Sequence, residues 1–348
     1  MKDKTIVWSG ELPIKRPGIY AEVPLDIYHG QKICPGPSVS STGLRRVLEE
    51  NGGSPKHFHA EWSGNPKQIE LAEKKHWTFG RAVHHLMLGQ PDFGREFVFR
   101  PDQLPDKAGV LTEWHSNKTI CRDWNAQAAF GGARWDSARY KWVQDPLQPP
   151  LTVLSGEDAR NIIGIADSLK LVPEIYDQRR PGVGLLSGQV ERSMFWQDKA
   201  TGIWLKVRPD AVPADSPDYV DLKTTESVNY LDLMRTISKC AYHQQAALIG
   251  DGTAICVGMK MSSFALVFAE KRAPYCVRIV MLRNEDIALG ARQNRRALAI
   301  IAQCMESGYW PGPGEGHIMH VDLLPKYAES AKLNSETFEK ENQQRGAA

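Results

Sequence analysis

The second half of the chain alternates between strand-like and helix-like patterns. Five segments have the period-two alternation or apolar, β-branched character that is typical of strands, and three longer segments have helical spacing. The predicted strands are residues 188–197, 202–212, 218–225, 262–271 and 275–282, and the predicted helices are 156–172, 229–250 and 284–308. An order of helix, three or four strands, helix, two strands and helix predicts an α/β fold, with a mixed central sheet flanked by helices.

The first half is less regular. Residues 1–60 are rich in Pro and Gly, with one short helix expected within 38–52, and a second helix is expected at 79–88. We interpret residues 1–60 as an N-terminal arm packing on a core domain at 61–325. Residues 95–150, rich in Pro, Trp and Gly, could be an insertion, and 326–348 a polar tail.

Composition restricts the location and partners. Of the 348 residues 42% are hydrophobic and 24% charged, which is ordinary for a soluble globular protein. The net charge of +2 gives no global attraction to polyanions, so a nucleic acid would have to be held by local patches. With no apolar run long enough for a membrane span and six cysteines lacking CxxC spacing, we expect a cytoplasmic protein with reduced thiols and no membrane contact.

Two aspartates are expected to face each other across a hairpin. Asp210 ends one predicted strand, Asp221 lies in the next, and the midpoint between them falls in the turn-forming segment 213–218. In a symmetric hairpin their Cβ atoms would lie about 5 Å apart, where like charges are destabilising. A bound cation would remove that repulsion.

Other charged side chains are predicted on the same face. Lys223 follows Asp221 by two residues, and Glu191 would lie opposite Arg208 and diagonally from Asp210 if the preceding turn is symmetric. Three carboxylates suit Mg²⁺, with Mn²⁺ as a possible substitute, and a lysine beside them suits cleavage of a phosphodiester. The alternative is structural, because Asp221 could simply pair with Lys223 or Arg208.

The segments "RPD" and "VDLKTT", with the upstream glutamate in "ERSMFW", resemble the PD-(D/E)xK nuclease motif. The chain is most similar to the exonuclease VIII (RecE-type) nucleases of phage and prophage recombination systems. "FGRAVHHLML" and "YHQQAALIGDG" resemble two helices of that family, and the resemblance spans roughly residues 17–312, weakest at 95–150. It implies a restriction-endonuclease-like core.

The resemblance also implies roles for individual residues. Catalytic and metal-site residues would be His84, Glu191, Asp210, Asp221 and Lys223, with the Leu222 carbonyl as a further metal ligand; DNA contacts would come from Arg81, Arg208, Tyr242 and Gln245. Two departures stand out: His85 makes the choice of His84 depend on alignment, and Ile249 occupies a position that is often Tyr.

The resemblance implies a Mg²⁺-dependent exonuclease that degrades double-stranded DNA from its ends, 5′→3′, leaving 3′ tails for annealing-type recombination. It further implies a homo-oligomeric ring, a trimer or tetramer, and a single-strand annealing protein as partner, in a phage or bacterial setting. Two alternatives stay open: a structure- or site-specific endonuclease on the same core, and a catalytically silent DNA-binding module.

Overall fold

The structure is a computed structural model that describes residues 5–69, 75–89, 93–176, 184–212 and 217–315, and Lys332. Residues Met1–Trp310 form one unit and Pro311–Ala348 a second. The predicted polar tail at 326–348 lies outside the described residues, apart from Lys332, as do positions 213–216 of the predicted turn.

Strands and helices alternate along the described chain. The strands are β1 (Ile6–Val7), β2 (Gly18–Ala21), β3 (Ser38–Ser40), β4 (Phe97–Phe99), β5 (Gln103–Pro105), β6 (Leu111–Glu113), β7 (Ala133–Asp136), β8 (Lys141–Gln144), β9 (Thr152–Leu154), β10 (Gln189–Val190), β11 (Ser193–Gln197), β12 (Trp204–Val207), β13 (Ala211–Val212), β14 (Asp218–Thr225), β15 (Ser263–Glu270) and β16 (Val277–Met281). The α-helices are α1 (Leu25–His29), α2 (Ser41–Val47), α3 (Pro55–Glu61), α4 (Lys75–Met87), α5 (Phe93–Glu96), α6 (Thr119–Phe130), α7 (Gly156–Lys170), α8 (Tyr230–Lys239), α9 (Tyr242–Gly252) and α10 (Asn284–Ser307), with a 3₁₀ turn at Glu49–Asn51 and a π-helical turn at Thr253–Val257.

Two five-stranded mixed sheets carry the fold. The first has the order β1-β2-β11-β12-β3 and the second the order β10-β13-β14-β15-β16. Strands β14 and β15 are parallel over eight residue pairs, and α8 and α9 form the crossover between them, as parallel pairing requires. The predicted mixed sheet flanked by helices is confirmed.

Helices cover both faces of the second sheet because β14 and β15 are apolar on both sides. On one face Tyr219 and Phe264 join a core with residues of α2, α9 and α10. On the other face Val220 and Leu222 pack with residues of α4 and α7, among them Val83. Helix α4 is therefore held against β14, where its polar residues can reach the end of the predicted acidic hairpin.

A bent hairpin connects the two sheets. Each of the predicted strands 188–197 and 202–212 is interrupted, so that β11 and β12 pair in the first sheet while β10 and β13 continue into the second. The interruptions fall at Glu191, whose φ is +54°, and at the segment 208–210. A positive φ is uncommon for a residue other than glycine, and it marks the bend as a position that tertiary packing dictates.

The register of this hairpin corrects one prediction. Met194 pairs with Val207, a register that places Glu191 directly opposite Asp210, and the Glu191 amide donates to the Asp210 carbonyl over 3.4 Å. The sequence predicts Glu191 opposite Arg208, two residues away. The position of the turn is the cause: Gln197 pairs with Trp204, so the turn comprises residues 198–203 and its centre lies one residue further along the chain than the prediction requires. A shift of two residues keeps the same face, so Glu191 still lies on the polar side.

The register of the next hairpin is confirmed. Ala211 pairs with Val220 in the antiparallel β13–β14 ladder, so Asp210 and Asp221 occupy the next opposed positions. The predicted strand 218–225 coincides with β14.

The predicted helix at 229–250 is two helices. Ala241, between α8 and α9, is fully buried in the left-handed conformation at φ +48°. The break frees the Cys240 carbonyl, which accepts a hydrogen bond from Arg45 Nη1. It also gives α9 its own direction, which sets where Tyr242 and Gln245 point.

Residues 5–60 and the segment 95–150 are parts of the same unit. Strands β1, β2 and β3 belong to the first sheet, and β2 and β3 flank the β11–β12 hairpin. Within 95–150, α6 and the β5–β6 and β7–β8 hairpins enclose a separate small core that includes Trp124 and Leu151. Among the described helices, none has both the length and the apolar character needed to cross a bilayer.

Candidate active site

Two buried carboxylates form the floor of the candidate site. Asp210 is 8% exposed and Asp221 is 1% exposed. The Leu222 amide donates to Asp210 Oδ2 over 2.6 Å, and His84 Nδ1 lies 3.4 Å from Asp210 Oδ1. His84 is therefore the histidine of α4 that approaches the acids. His85 is turned away among Phe93 and Phe97, with Nε2 3.8 Å from Glu96.

The pKa values of the two aspartates move in opposite directions. Burial alone would raise the pKa of Asp210, but the charge and hydrogen bond of His84, the charge of Lys223 and the Leu222 amide outweigh it and hold the pKa below its usual range. Burial raises the pKa of Asp221, and the charge of Asp210 raises it further against the opposing effect of Lys223. Two neighbouring carboxylates that share one environment behave in this way, because ionising the second is opposed by the first.

Lys223 supplies the positive charge next to the pair. Its ammonium contacts Asp221 Oδ2, and its Nζ lies 5.2 Å from the centroid of the Tyr242 ring. Burial would lower the pKa of Lys223, but the charges of Asp221 and Asp210 raise it, so the lysine is a cation at neutral pH. Gln245 Nε2 donates to Asp221 Oδ1 over 3.0 Å from α9.

Glu191 and Arg208 lie together at the edge of the acid pair. Arg208 Nη1 is 3.5 Å from Glu191 Oε2, and the two side chains are 10% and 29% exposed. The structure thus places Glu191 on the same side as the aspartates, with Arg208 as its charged neighbour.

An open cleft reaches this group. A cavity of about 620 Å³ is lined by His84, Glu191, Arg208, Lys223 and Arg81, together with Tyr242. A second cavity of about 480 Å³ shares Arg208, Lys223 and Tyr242 and continues past Gln245. His84 and Lys223, which contact the acid pair, therefore line this groove, and the two cavities meet at Lys223.

The four predicted DNA-contacting residues all line this groove. Arg81 is exposed and donates to Thr152 Oγ1 over 3.2 Å, and Tyr242 lies beneath the Lys223 ammonium. Gln245 and Arg208 are both engaged by side chains of the site, through Asp221 and Glu191. Their contact with DNA stays a prediction.

Sequence reasoning missed Arg45 of α2. It lines the second cavity, and its guanidinium fixes the end of α8 through the Cys240 carbonyl. The serine-rich stretch before it gave a weak signal, but the contact joins residues 195 positions apart. No local pattern reveals such a pairing.

The donor set fits a hard cation in its chemistry. In the described part of the chain, no three His, Cys, Asp or Glu side chains are gathered closely enough to hold a metal ion. Asp221 Oδ2 is buried, and its contact is the ion pair with the Lys223 ammonium. Two opposed buried carboxylates, one of them with a raised pKa, match the oxygen ligands that Mg²⁺ prefers.

Comparisons with known proteins agree with this fold. Residues 169–319, less than half of the chain, match a family model described as a PDDEXK-like domain of unknown function. A crystal structure from Eubacterium rectale, described as a "putative exonuclease", is similar with a TM-score of 0.52 at 14% identity, over 87% of this chain and 97% of that one. No protein with a curated description matches.

The fold and the matched segment define the class. The chain has a restriction-endonuclease-like fold with a PDDEXK-like segment at 169–319. That segment contains Glu191, Asp210, Asp221 and Lys223, whereas His84 lies outside it and reaches Asp210 through the packing of α4.

Proposed function

We propose that the protein is a metal-dependent nuclease that cleaves DNA at duplex ends. The observation that carries the proposal is the buried Asp210–Asp221 pair in contact with Lys223 and His84, two side chains that line a cleft. The PDDEXK-like description of the matched segment and the exonuclease description of the similar structure support it.

Asp210 and Asp221 would hold Mg²⁺, with the Leu222 carbonyl as a further oxygen ligand. The bound ion would lower the pKa of a water and offset negative charge on the phosphoryl group. Lys223 is placed to stabilise the negative charge that develops on the phosphate oxygens. His84 and Gln245 orient the two carboxylates through their contacts with Asp210 and Asp221.

The finer features of the proposal come from the resemblance. They are double-stranded DNA as substrate, the 5′→3′ direction, and the 3′ single-stranded tails that such cleavage leaves on the duplex. Ring assembly and an annealing partner, which the resemblance also implies, remain predictions of the same kind.

The direct test incubates the purified protein with linear duplex labelled at one 5′ end or one 3′ end, with Mg²⁺ or with EDTA. We expect early release of the 5′ label with Mg²⁺ and no release with EDTA. Lys223→Met should abolish cleavage, while Lys170→Met removes an exposed lysine of α7 and should leave it unchanged.

Closed circular DNA separates the proposal from an endonuclease on the same core. An exonuclease leaves the circle intact, and cutting of the circle at a rate similar to that of linear DNA would replace the proposal with an endonuclease. Absence of cleavage on every substrate with Mg²⁺ and Mn²⁺ would favour a silent DNA-binding module.

A further inference from the structure

Arg208 directs all three of its nitrogens at protein oxygens. Nε donates to Ser193 Oγ over 2.8 Å, Nη2 donates to the Val23 carbonyl over 2.7 Å, and Nη1 faces Glu191 Oε2 at 3.5 Å. The guanidinium also lies over the Tyr28 ring, 4.6 Å from its centroid. A side chain held on four sides and 10% exposed is suited to fixing its neighbours, because a phosphate contact would have to displace one of them.

Two of these neighbours belong to the segment 23–30 near the N-terminus. Lys206, two residues before Arg208 on the same face of the hairpin, holds the same segment. Its ammonium donates to the carbonyls of Tyr28 over 2.8 Å, Gly30 over 3.1 Å and His29 over 3.4 Å. Two cations from one strand face therefore fasten segment 23–30 to the hairpin that carries the acids.

Glu191 depends on this arrangement. Its backbone is in the left-handed conformation at the bend between the two sheets, which local preference disfavours for a glutamate. Arg208 is fixed independently by Ser193 and Val23, so the ion pair transmits that fixed position to the Glu191 carboxylate. Such strain persists only where the surroundings hold it, and it is common at functional sites.

We propose that Arg208 is a positioning residue. Its contacts with segment 23–30 fix the guanidinium, and its ion pair with Glu191 holds the Glu191 carboxylate at the edge of the cleft. The inference rests on the proposed nuclease function for its catalytic consequence. It gives Arg208 a role different from the DNA contact that the sequence predicts, and it makes segment 23–30 part of the active site.

Steady-state kinetics of Arg208→Lys separate the two roles. Lysine keeps the charge but cannot hold three partners at once, so we expect kcat to fall about 10- to 100-fold with little change in KM for DNA. In Arg208→Met, which removes the charge, the slope of log affinity against log salt should stay that of the wild type because Arg208 contacts no phosphate. A phosphate contact predicts the reverse for Arg208→Met, with a higher KM, an unchanged kcat and a salt slope smaller by about one; that result would overturn the proposal.

Two further variants complete the kinetic set. Glu191→Gln should reproduce the loss in kcat, since it removes the group that Arg208 positions. Arg295→Lys is the matched control, because Arg295 pairs with Asp198 over 2.7 Å at the turn end of the same hairpin, and it should keep wild-type kinetics.

Hydrogen exchange provides a readout that does not need nuclease activity. In Arg208→Met, amides of peptides covering 18–30 and 189–193 should exchange faster together, while those of α10 stay protected. In Glu191→Gln and Arg295→Lys, peptide 18–30 should be unchanged. Unchanged exchange in both peptides of Arg208→Met overturns the proposal. If these peptides exchange faster in Arg208→Met and the wild type cuts no DNA, the nuclease assignment fails while the Arg208 link stands.

Discussion

Replacing Asp221 by Asn should abolish cleavage and stabilise the fold. The substitution keeps the shape of a side chain that is 1% exposed and removes its charge. The folded protein holds the pKa of Asp221 above the 3.8 of an unperturbed aspartate, through burial and the charge of Asp210. Between the unfolded and folded pKa values the native state binds the extra proton, so stability falls as the pH rises through that window.

The magnitude follows from the hairpin geometry. Two carboxylates at opposed positions, about 5 Å apart, repel each other by roughly 3 kcal/mol at an effective dielectric constant near 20. Attraction to Lys223 offsets part of this repulsion. The raised pKa of Asp221 indicates that burial and the repulsion by Asp210 together outweigh the attraction to Lys223. Since one pKa unit corresponds to about 1.4 kcal/mol, we expect Asp221→Asn to raise the free energy of unfolding by about 1–3 kcal/mol.

Urea unfolding at pH 7 in EDTA, combined with the linear-duplex cleavage assay, measures both effects. Asp198→Asn is the control, and it should lower the free energy of unfolding where Asp221→Asn raises it. Arg295 and Thr201 hold the pKa of Asp198 at about 2, so its charge stabilises the fold above the unfolded pKa and fully at pH 7. Because Arg295 is half exposed, we discount for screening and expect Asp198→Asn to lose about 1–2 kcal/mol, with cleavage unchanged.

Two results would refute this reasoning. A loss of more than about 1 kcal/mol in Asp221→Asn would mean that the ion pair with Lys223 outweighs burial and repulsion. Cleavage at the wild-type rate by Asp221→Asn would remove Asp221 from the chemistry altogether.

Three further predictions concern pH, metal and packing. Burial lowers the pKa of Lys206 from 10.5 to about 8, so the native state loses this proton at a lower pH than the unfolded chain does. The free energy of unfolding of the wild type, relative to that of Lys206→Met, should therefore rise by about 1.4 kcal/mol from pH 7 to pH 9. A difference that does not change with pH would show that the carbonyl acceptors keep the lysine charged. Mg²⁺ at ten times its dissociation constant should stabilise the wild type by about 1.4 kcal/mol in thermal unfolding, and EDTA should reverse the effect. The same concentration should not stabilise Asp221→Asn. Equal stabilisation of both proteins would place the ion elsewhere. Gly290→Ala would put a methyl carbon 2.4 Å from the His243 carbonyl oxygen, where α9 and α10 pack. We expect urea unfolding to show that the free energy of unfolding falls by roughly 1–3 kcal/mol. Gly94→Ala is the control and should cause no change, because its methyl group would meet no atom within 4 Å.

Local patterns were enough to predict the acidic hairpin. Side chains alternate in a strand, and a short turn fixes which residues face each other, so the opposition of Asp210 and Asp221 and the shared face of Asp221 and Lys223 follow from the chain itself. Helices with strong apolar spacing, such as α7 and α10, were predicted for the same reason.

Local sequence patterns could not predict where regular structure is interrupted. The bend at Glu191 and the break at Ala241 both use left-handed backbone that neither residue favours, and packing around each position imposes it. Both interruptions involve the candidate site: Glu191 lies at the bend itself, and the break at Ala241 sets the direction of α9 and Gln245.

The sequence by itself therefore determined the mixed α/β class, the paired aspartates and the lysine beside them, because each depends on residues close together in the chain. Only the tertiary structure decided that His84 and not His85 approaches Asp210, that Arg45 meets Cys240, and that segment 23–30 reaches Glu191 through Arg208. Apart from the Arg208–Glu191 pair, these contacts join residues more than 120 positions apart, and they form only when helices and sheets pack around a common core.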